Sequence, residues 1–269
     1  EIGDRLISSE AHFELVPAEL NKIVVEPSNI RAIAGNEYSF KAFAYDAYGN
    51  QIESNTIEWS VLGNIGKITK TDVDECIFLA VTAGNGKIVA SLQGHEEKAD
   101  ITVLPGEANS LEIRPKSLLI SAGSKYQFYG TLKDGFGNEI PNAKLDWYLD
   151  GEVNIGSVTD DGTFLALKTG KGTLKVSYEG RYFDEVNITV IPGEIHSARI
   201  YILDNNRILD PPYKLFSGSR YTLLIDGFDS YGNKIDKLDE VIWEISGNSG
   251  LIVNNDSEVS VTTLFPGKG

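Results

Sequence analysis

The chain has 269 residues, 41% of them apolar and 23% charged, with a formal net charge of −15. This composition suits a globular protein of one large domain or two to three small ones. No apolar run approaches the roughly 18 residues of a membrane-spanning helix, and the negative charge repels phosphate backbones, which excludes nucleic acid as an expected partner. Cys76 is the only cysteine, so no intrachain disulfide can form. Methionine is absent even at position 1, which points to a processed product or an excised piece.

Residues 1–16 close on HFELV (His12 to Val16), which alternates like the last strand of a preceding domain or an exchange strand. The linker Pro17-Ala18-Glu19 follows. Together these residues begin a repeat: HFELVPAELNKI (His12 to Ile23) aligns with DITVLPGEANSL (Asp100 to Leu111) and with NITVIPGEIHSARI (Asn187 to Ile200), the last read with a two-residue insertion near its end. Pro17, Pro105 and Pro192 recur at spacings of 88 and 87 residues. A fixed period of this size is the signature of tandem domains.

Within each unit the next element is an alternating strand. Tyr38, Phe40, Ala42 and Ala44 share one face; Tyr126, Phe128, Gly130 and Leu132, then Tyr221, Leu223, Ile225 and Gly227, are the equivalents. Each of these strands ends in an Asp-x-x-Gly-Asn turn: Asp46, Gly49 and Asn50; Asp134, Gly137 and Asn138; Asp229, Gly232 and Asn233. Asp can close an Asx-turn on the following amides, Gly supplies a positive φ, and Asn tolerates the left-handed region. A tryptophan strand comes next, with Trp59, Trp147 and Trp243 expected in the core between two sheets. The units then reach TAGNG, KTGKG and FPGKG. After this the first two units continue with a further strand pair, which the third lacks. The expected explanation is excision from a longer array, or a sequence covering only part of a longer chain. The alternative is head-to-tail exchange, in which residues 1–16 of one copy fill the third unit of another.

No segment carries a 3.6-residue apolar period. The expected fold is therefore all-β, about seven strands per unit in immunoglobulin-like sandwiches set in an extended row. The domains are 17–104, 105–191 and an incomplete 192–269, preceded by the 1–16 strand segment. The order of the proline linker, alternating strand, Asp-x-x-Gly-Asn turn, tryptophan strand and Gly-x-Gly resembles the bacterial immunoglobulin-like repeats of invasin-type adhesins, S-layer proteins and large secreted enzymes. That resemblance covers most of the chain and implies an extracellular, cell-surface or secreted location. It says little of a specific role.

The search for chemistry is short. His12, His95 and His196 have no metal-ligand spacing, and no nucleophile-elbow or phosphate-loop motif occurs. Acidic pairs in TDVDE (Thr71 to Glu75), TDDG (Thr159 to Gly162) and DKLDE (Asp236 to Glu240) read as solvated turns, since a glycosidase needs its two acids across a cleft. Cys76 aligns with Gly162 and reads as a small buried residue. No catalytic residues and no cofactor are expected. In the expected topology each turn sits beside its incoming linker, so Asp46, Asp134 and Asp229 lie near Glu19, Glu107 and Glu194. This corner reads as a stiff junction; the alternative is an interdomain Ca²⁺ site built on those carboxylates. Asn187 and Asn255 sit in N-glycosylation patterns.

The expected function is a non-enzymatic structural or adhesive module whose partners are other domains or copies of the same surface protein, with glycans or cell wall as further candidates. The alternative is a carbohydrate-binding or spacer module of a large secreted hydrolase. For that reading Tyr129, Tyr148, Tyr178, Tyr182 and Phe183 are the stacking candidates.

Overall fold

The computed structural model describes residues 10–264 except 54–55, 152–153, 206, 239–240, 248 and 256–257. Among these residues there is no helix, and the chain is all-β. It divides into two compact units, residues 1–110 with 131–143, and residues 111–130 with 144–269. These units do not follow the repeat boundaries: the second Asp-x-x-Gly-Asn turn clusters with the first repeat.

In the first unit the strands are β1 (Leu20–Glu26), β2 (Asn29–Ile33), β3 (Glu37–Asp46), β4 (Gln51–Ile52), β5 (Glu58–Leu62), β6 (Gly66–Thr71), β7 (Glu75–Ala80), β8 (Gly84–Leu92) and β9 (His95–Leu104). One sheet runs β1-β3-β7-β6, with the two-residue β4 folded back on β3; the other runs β2-β9-β8-β5. β2 and β9 are parallel and every other pair is antiparallel. The strict alternation of β3 and β7 is what makes this an immunoglobulin-like sandwich: Phe40, Ala42 and Ala44, with Cys76, Phe78 and Ala80, face inward and are buried. They meet Ile88, Ala90, Ile101 and Val103 from the other sheet.

The second repeat gives β10 (Ala108–Arg114), β11 (Ser117–Ser121), β12 (Lys125–Gln127), β13 (Tyr129–Asp134), β14 (Asp146–Asp150), β15 (Gly156–Val158), β16 (Thr163–Ala166), β17 (Gly170–Tyr178) and β18 (Tyr182–Ile191). β10 pairs with β13, β12-β16-β15 form a second ladder, and β11-β18-β17-β14 reproduce the order of β2-β9-β8-β5. The largest fully buried side chains in the two repeats are Phe40, Phe78, Phe128 and Phe164. Trp59 and Trp147 are half-buried at the margin of this core, and the ring nitrogen of Trp59 is buried without a partner among the described residues. The phenylalanines of the alternating strands, rather than the tryptophans, therefore fill the centre.

Among its described residues the third repeat forms one sheet, in the order β20-β19-β21-β24-β23, from β19 (Ile195–Asp204), β20 (Arg207–Ile208), β21 (Arg220–Asp229), β23 (Gly250–Asn255) and β24 (Glu258–Thr263); β22 (Lys234–Ile235) pairs with β21. Two expectations are corrected here. The two-residue insertion read near Ile200 is absent: Ala198 opposes Gly227 as Ile23 opposes Ala44, with the same bulge one step earlier, so the extra length falls after β19. Residues 241–245 form no strand, although they carry Trp243. β5 and β14 exist because β8 and β17 supply their ladder partners, whereas residues 241–245 pair with no strand among the described residues. An isolated extended segment gains no backbone hydrogen bonds, so residue pattern alone does not make it a strand.

Truncating the centre of the core tests the assignment. Phe128→Ala should cost about 3–5 kcal/mol in urea unfolding, whereas Leu119→Ala, on an exposed site, should stay within about 0.5 kcal/mol.

Candidate functional site: a turn that clamps linker and loop

Asp46, Asp134 and Asp229 end strands that bury their inner face, and each carboxyl is itself buried, at 2%, 2% and 3% exposure. Burial of a charge demands partners, and the three sites find the same ones. In the second turn, Oδ1 of Asp134 accepts the N–H groups of Phe136 (2.8 Å) and Asn138 (2.9 Å). Its Oδ2 accepts the side-chain amide of Asn138 (2.8 Å) and the N–H of Gly106 (2.8 Å), the residue after linker proline Pro105. Asp229 repeats this with Tyr231, Asn233 and Gly193. Asp46 repeats it with Tyr48, Asn50 and Ala18. The turn is closed by the N–H of each Asp to the carbonyl of its Asn at 3.0 Å. Gly49, Gly137 and Gly232 hold φ of 86°, 85° and 74°, the left-handed region that glycine enters at no steric cost.

A carboxylate has about four acceptor positions, and all four are taken by N–H donors. The side-chain amide of Asn50 and the backbone N–H groups of Ala18, Asn50 and Tyr48 hold Asp46 down at about 2. Burial pushes Asp134 and Asp229 upward, but the N–H donors outweigh it and keep both below the usual carboxylate range. The expected contact between turn and linker is therefore direct, through a backbone amide. Glu19, Glu107 and Glu194 are exposed. A Ca²⁺ ion at these corners would have to displace the N–H donors and leave them unpaired, and among the described residues no three His, Cys, Asp or Glu side chains converge on a metal-sized site.

The asparagine does something the sequence does not announce. None of the three adopts the left-handed conformation expected of it. Asn138 instead donates its side-chain amide to the carbonyl of Val81 (2.8 Å) and accepts the N–H of Ala83 (2.8 Å), both in the loop between β7 and β8 of the first repeat. Asn233 does the same with Leu167 (2.8 Å) and Thr169 (3.0 Å). Phe136 lies over Gly35, where an added Cβ would meet its ring at 2.9 Å, and Tyr231 lies over Gly123 at 2.8 Å. Gly106 and Gly193 complete the fit: a Cβ there would lie 2.8 Å from the carbonyl oxygens of Ala34 and Ala122. The clamp thus joins three segments: the turn, the linker, and the loop ahead of the last two strands of the preceding repeat.

The remaining candidates lie elsewhere. Asp72 and Asp161 hydrogen-bond within their own turns, as solvated turns do. The cleft beside the second turn has Glu107 and Asp134 as its ionisable side chains, and Asp134 has no free oxygen. Burial pushes the Cys76 thiol up to about 12, which removes it from thiolate chemistry. Tyr148 and Phe183 are exposed on the outer face of the β14-β17-β18 ladder, whereas Tyr178 and Tyr182 pair on its opposite face and Tyr129 stands on another ladder. The five aromatics do not make one row. Asn187 is exposed on β18; Asn255 is in β23, its side chain outside the described residues.

No family model matches the chain. Its fold is similar to that of the Escherichia coli adhesin FdeC, at a TM-score of 0.59 and 18% identity over 93% of this chain and 91% of that one. Domains 4–9 of the surface-layer protein SbsC align at a TM-score of 0.35 and 14% identity, over 91% of this chain and 43% of that one. In sequence, 204 residues (70% of this chain) are 24% identical to ice-binding protein 1 of Shewanella frigidimarina, and they span 22% of that relative's length.

Two predictions follow from the clamp. Asn138→Ala removes the amide hydrogens given to Val81 and Asp134 and leaves the Ala83 amide unpaired, so it should cost at least about 1–3 kcal/mol. Asn50→Ala, which loses only the bond to Asp46 among the described residues, should cost less by the same urea titration. Because Asp46 titrates at about 2 in the folded chain and near 3.8 in the unfolded one, its contribution is complete above pH 4 and is lost as pH falls from there toward 2. Asp46→Asn should flatten that part of the acid-unfolding curve.

Proposed function

We propose that the chain is a non-enzymatic structural or adhesive module of an extracellular surface protein, three immunoglobulin-like domains (17–104, 105–191 and 192–269) that space and link other parts. The observation that carries this reading is the clamp. The buried polar side chains that would be the first candidates for chemistry, Asp46, Asp134, Asn138, Asp229 and Asn233, are bound to backbone amides and carbonyls. At Asn138 and Asn233 the effect is to fasten one repeat to the next. Short proline linkers, an amide fixed on a carboxylate and a loop gripped by an asparagine make a stiff joint, and stiffness is what a spacer needs.

The likeness to the FdeC fold and the acidic surface support a surface location. Ice binding is not carried across from the Shewanella relative, because this chain matches 22% of that protein. A glycan-binding role gains nothing from the dispersed aromatics.

Small-angle scattering tests the joint. The wild-type chain should behave as one elongated particle with little internal flexibility, and the double variant Asn138→Ala, Asn233→Ala should become measurably more flexible. A compact wild-type particle, or no change in the variant, would sink the spacer reading. Chelator should leave the thermal midpoint unchanged; a fall would restore Ca²⁺ as a component of the joint.

A further inference from the structure

The three clamps are alike in the turn and differ in what they hold. Asn138 and Asn233 are buried, each gripping a carbonyl and an amide two residues apart. Asn50 is exposed: among the described residues its side-chain carbonyl accepts nothing, and its amide donates only to Asp46. Tyr48 is 85% exposed, against 51% for Phe136 over Gly35 and 38% for Tyr231 over Gly123. The turn itself is hydrogen-bonded as in the other two, so this pole offers the same asparagine donor and acceptor.

A second observation points to the same partner. Phe13 and Leu15, just before Pro17, are 81% and 87% exposed. Their repeat equivalents Ile101 and Val103, and Ile188 and Val190, are each at most 2% exposed in the last strand of a sandwich. Residues 12–16 therefore carry the inward-facing pattern of a closing strand without a core to face.

We propose that Asn50 and Tyr48 form a docking surface for another sandwich repeat, the one whose last strand is residues 12–16, gripped at the loop that corresponds to the one between β7 and β8. This rests on the reading of the clamp as a joint between repeats. That repeat must present a carbonyl and, two residues later, an N–H to Asn50 from this loop, and a glycine beneath Tyr48 from the loop that corresponds to the one between β2 and β3. The third repeat of a second copy fits less well. There the aligned residues are Leu264 and Pro266; the Leu264 carbonyl already accepts Ser217 Oγ at 2.7 Å, and a proline has no amide hydrogen to give. Ala18 adds a specific feature. It stands where Gly106 and Gly193 admit a carbonyl oxygen 2.8 Å from the Cβ position, so its methyl holds the docked repeat slightly off, and this joint is the loosest of the three.

The test places residues 17–99 directly ahead of His12, in place of residues 1–11, so that 12–16 close the added sandwich. Hydrogen exchange is read at the added copy of Ala83. Its amide should exchange about fivefold more slowly than in the same chain carrying Asn50→Ala, the effect of one net hydrogen bond, and Ala18→Gly should slow it further. Asn138→Ala, read at the original Ala83, is the control. If the control shows no effect, the joint reading itself fails. If the control responds but Asn50→Ala does not, or the added sandwich does not fold, the docking proposal is overturned. Reversible association of the 269-residue chain that Asn50→Ala abolishes, seen by sedimentation, would also overturn it, by assigning the surface to a second copy.

Discussion

A buried carboxylate that accepts four N–H groups is the constraint on which the joints depend. An ionised Asp out of water is costly unless every acceptor position is used. At Asp134 and Asp229 two of the four donors come from the turn backbone, one from the neighbouring Asn, and one from the linker. The linker amide cannot leave without exposing the charge to an unmet demand. Charge-assisted bonds of this kind are among the stronger ones available to a protein, and proline just before the donor restricts the chain further. A turn, which in isolation would be a weak local element, thereby fixes where the next strand begins.

The asparagine then extends the constraint to the preceding repeat. Its side-chain amide carries both a donor group and an acceptor. In Asn138 one amide hydrogen steadies Asp134, the other reaches Val81, and the carbonyl takes Ala83. Aspartate at that position would lack the donors, and serine would lack the reach. Glycine has the complementary role at Gly35 and Gly106: it is required because ring and carbonyl approach too closely for a Cβ. Polar grip and close backbone approach are coupled, since the hydrogen bonds form only when the repeats are within contact distance.

The third repeat shows the limit of local pattern. Residues 241–245 have the apolar and aromatic content of β5 and β14 but stay outside any ladder, because extended backbone is stabilised by a neighbour rather than by its own residues. β21 carries the same alternation and is a strand, since β19 and β24 flank it.

The sequence by itself determined the repeat, the all-β class, the alternating inner faces and the position of each turn, because period-two burial and glycine-dependent turns leave their marks in residue order. It also placed Asp46, Asp134 and Asp229 beside the linkers. It could not assign the core centre to Phe40 and Phe78 over Trp59, since both residue types are apolar and only the two sheets' separation decides which reaches the middle. Nor could it give Asn138 and Asn233 their partners. Those bonds run to backbone atoms 55 and 66 residues away, and a backbone carbonyl or amide has no residue identity to recognise. Tertiary structure alone brings Val81, Ala83, Leu167 and Thr169 to the turn, and so decides that a motif legible as a corner is also a clamp.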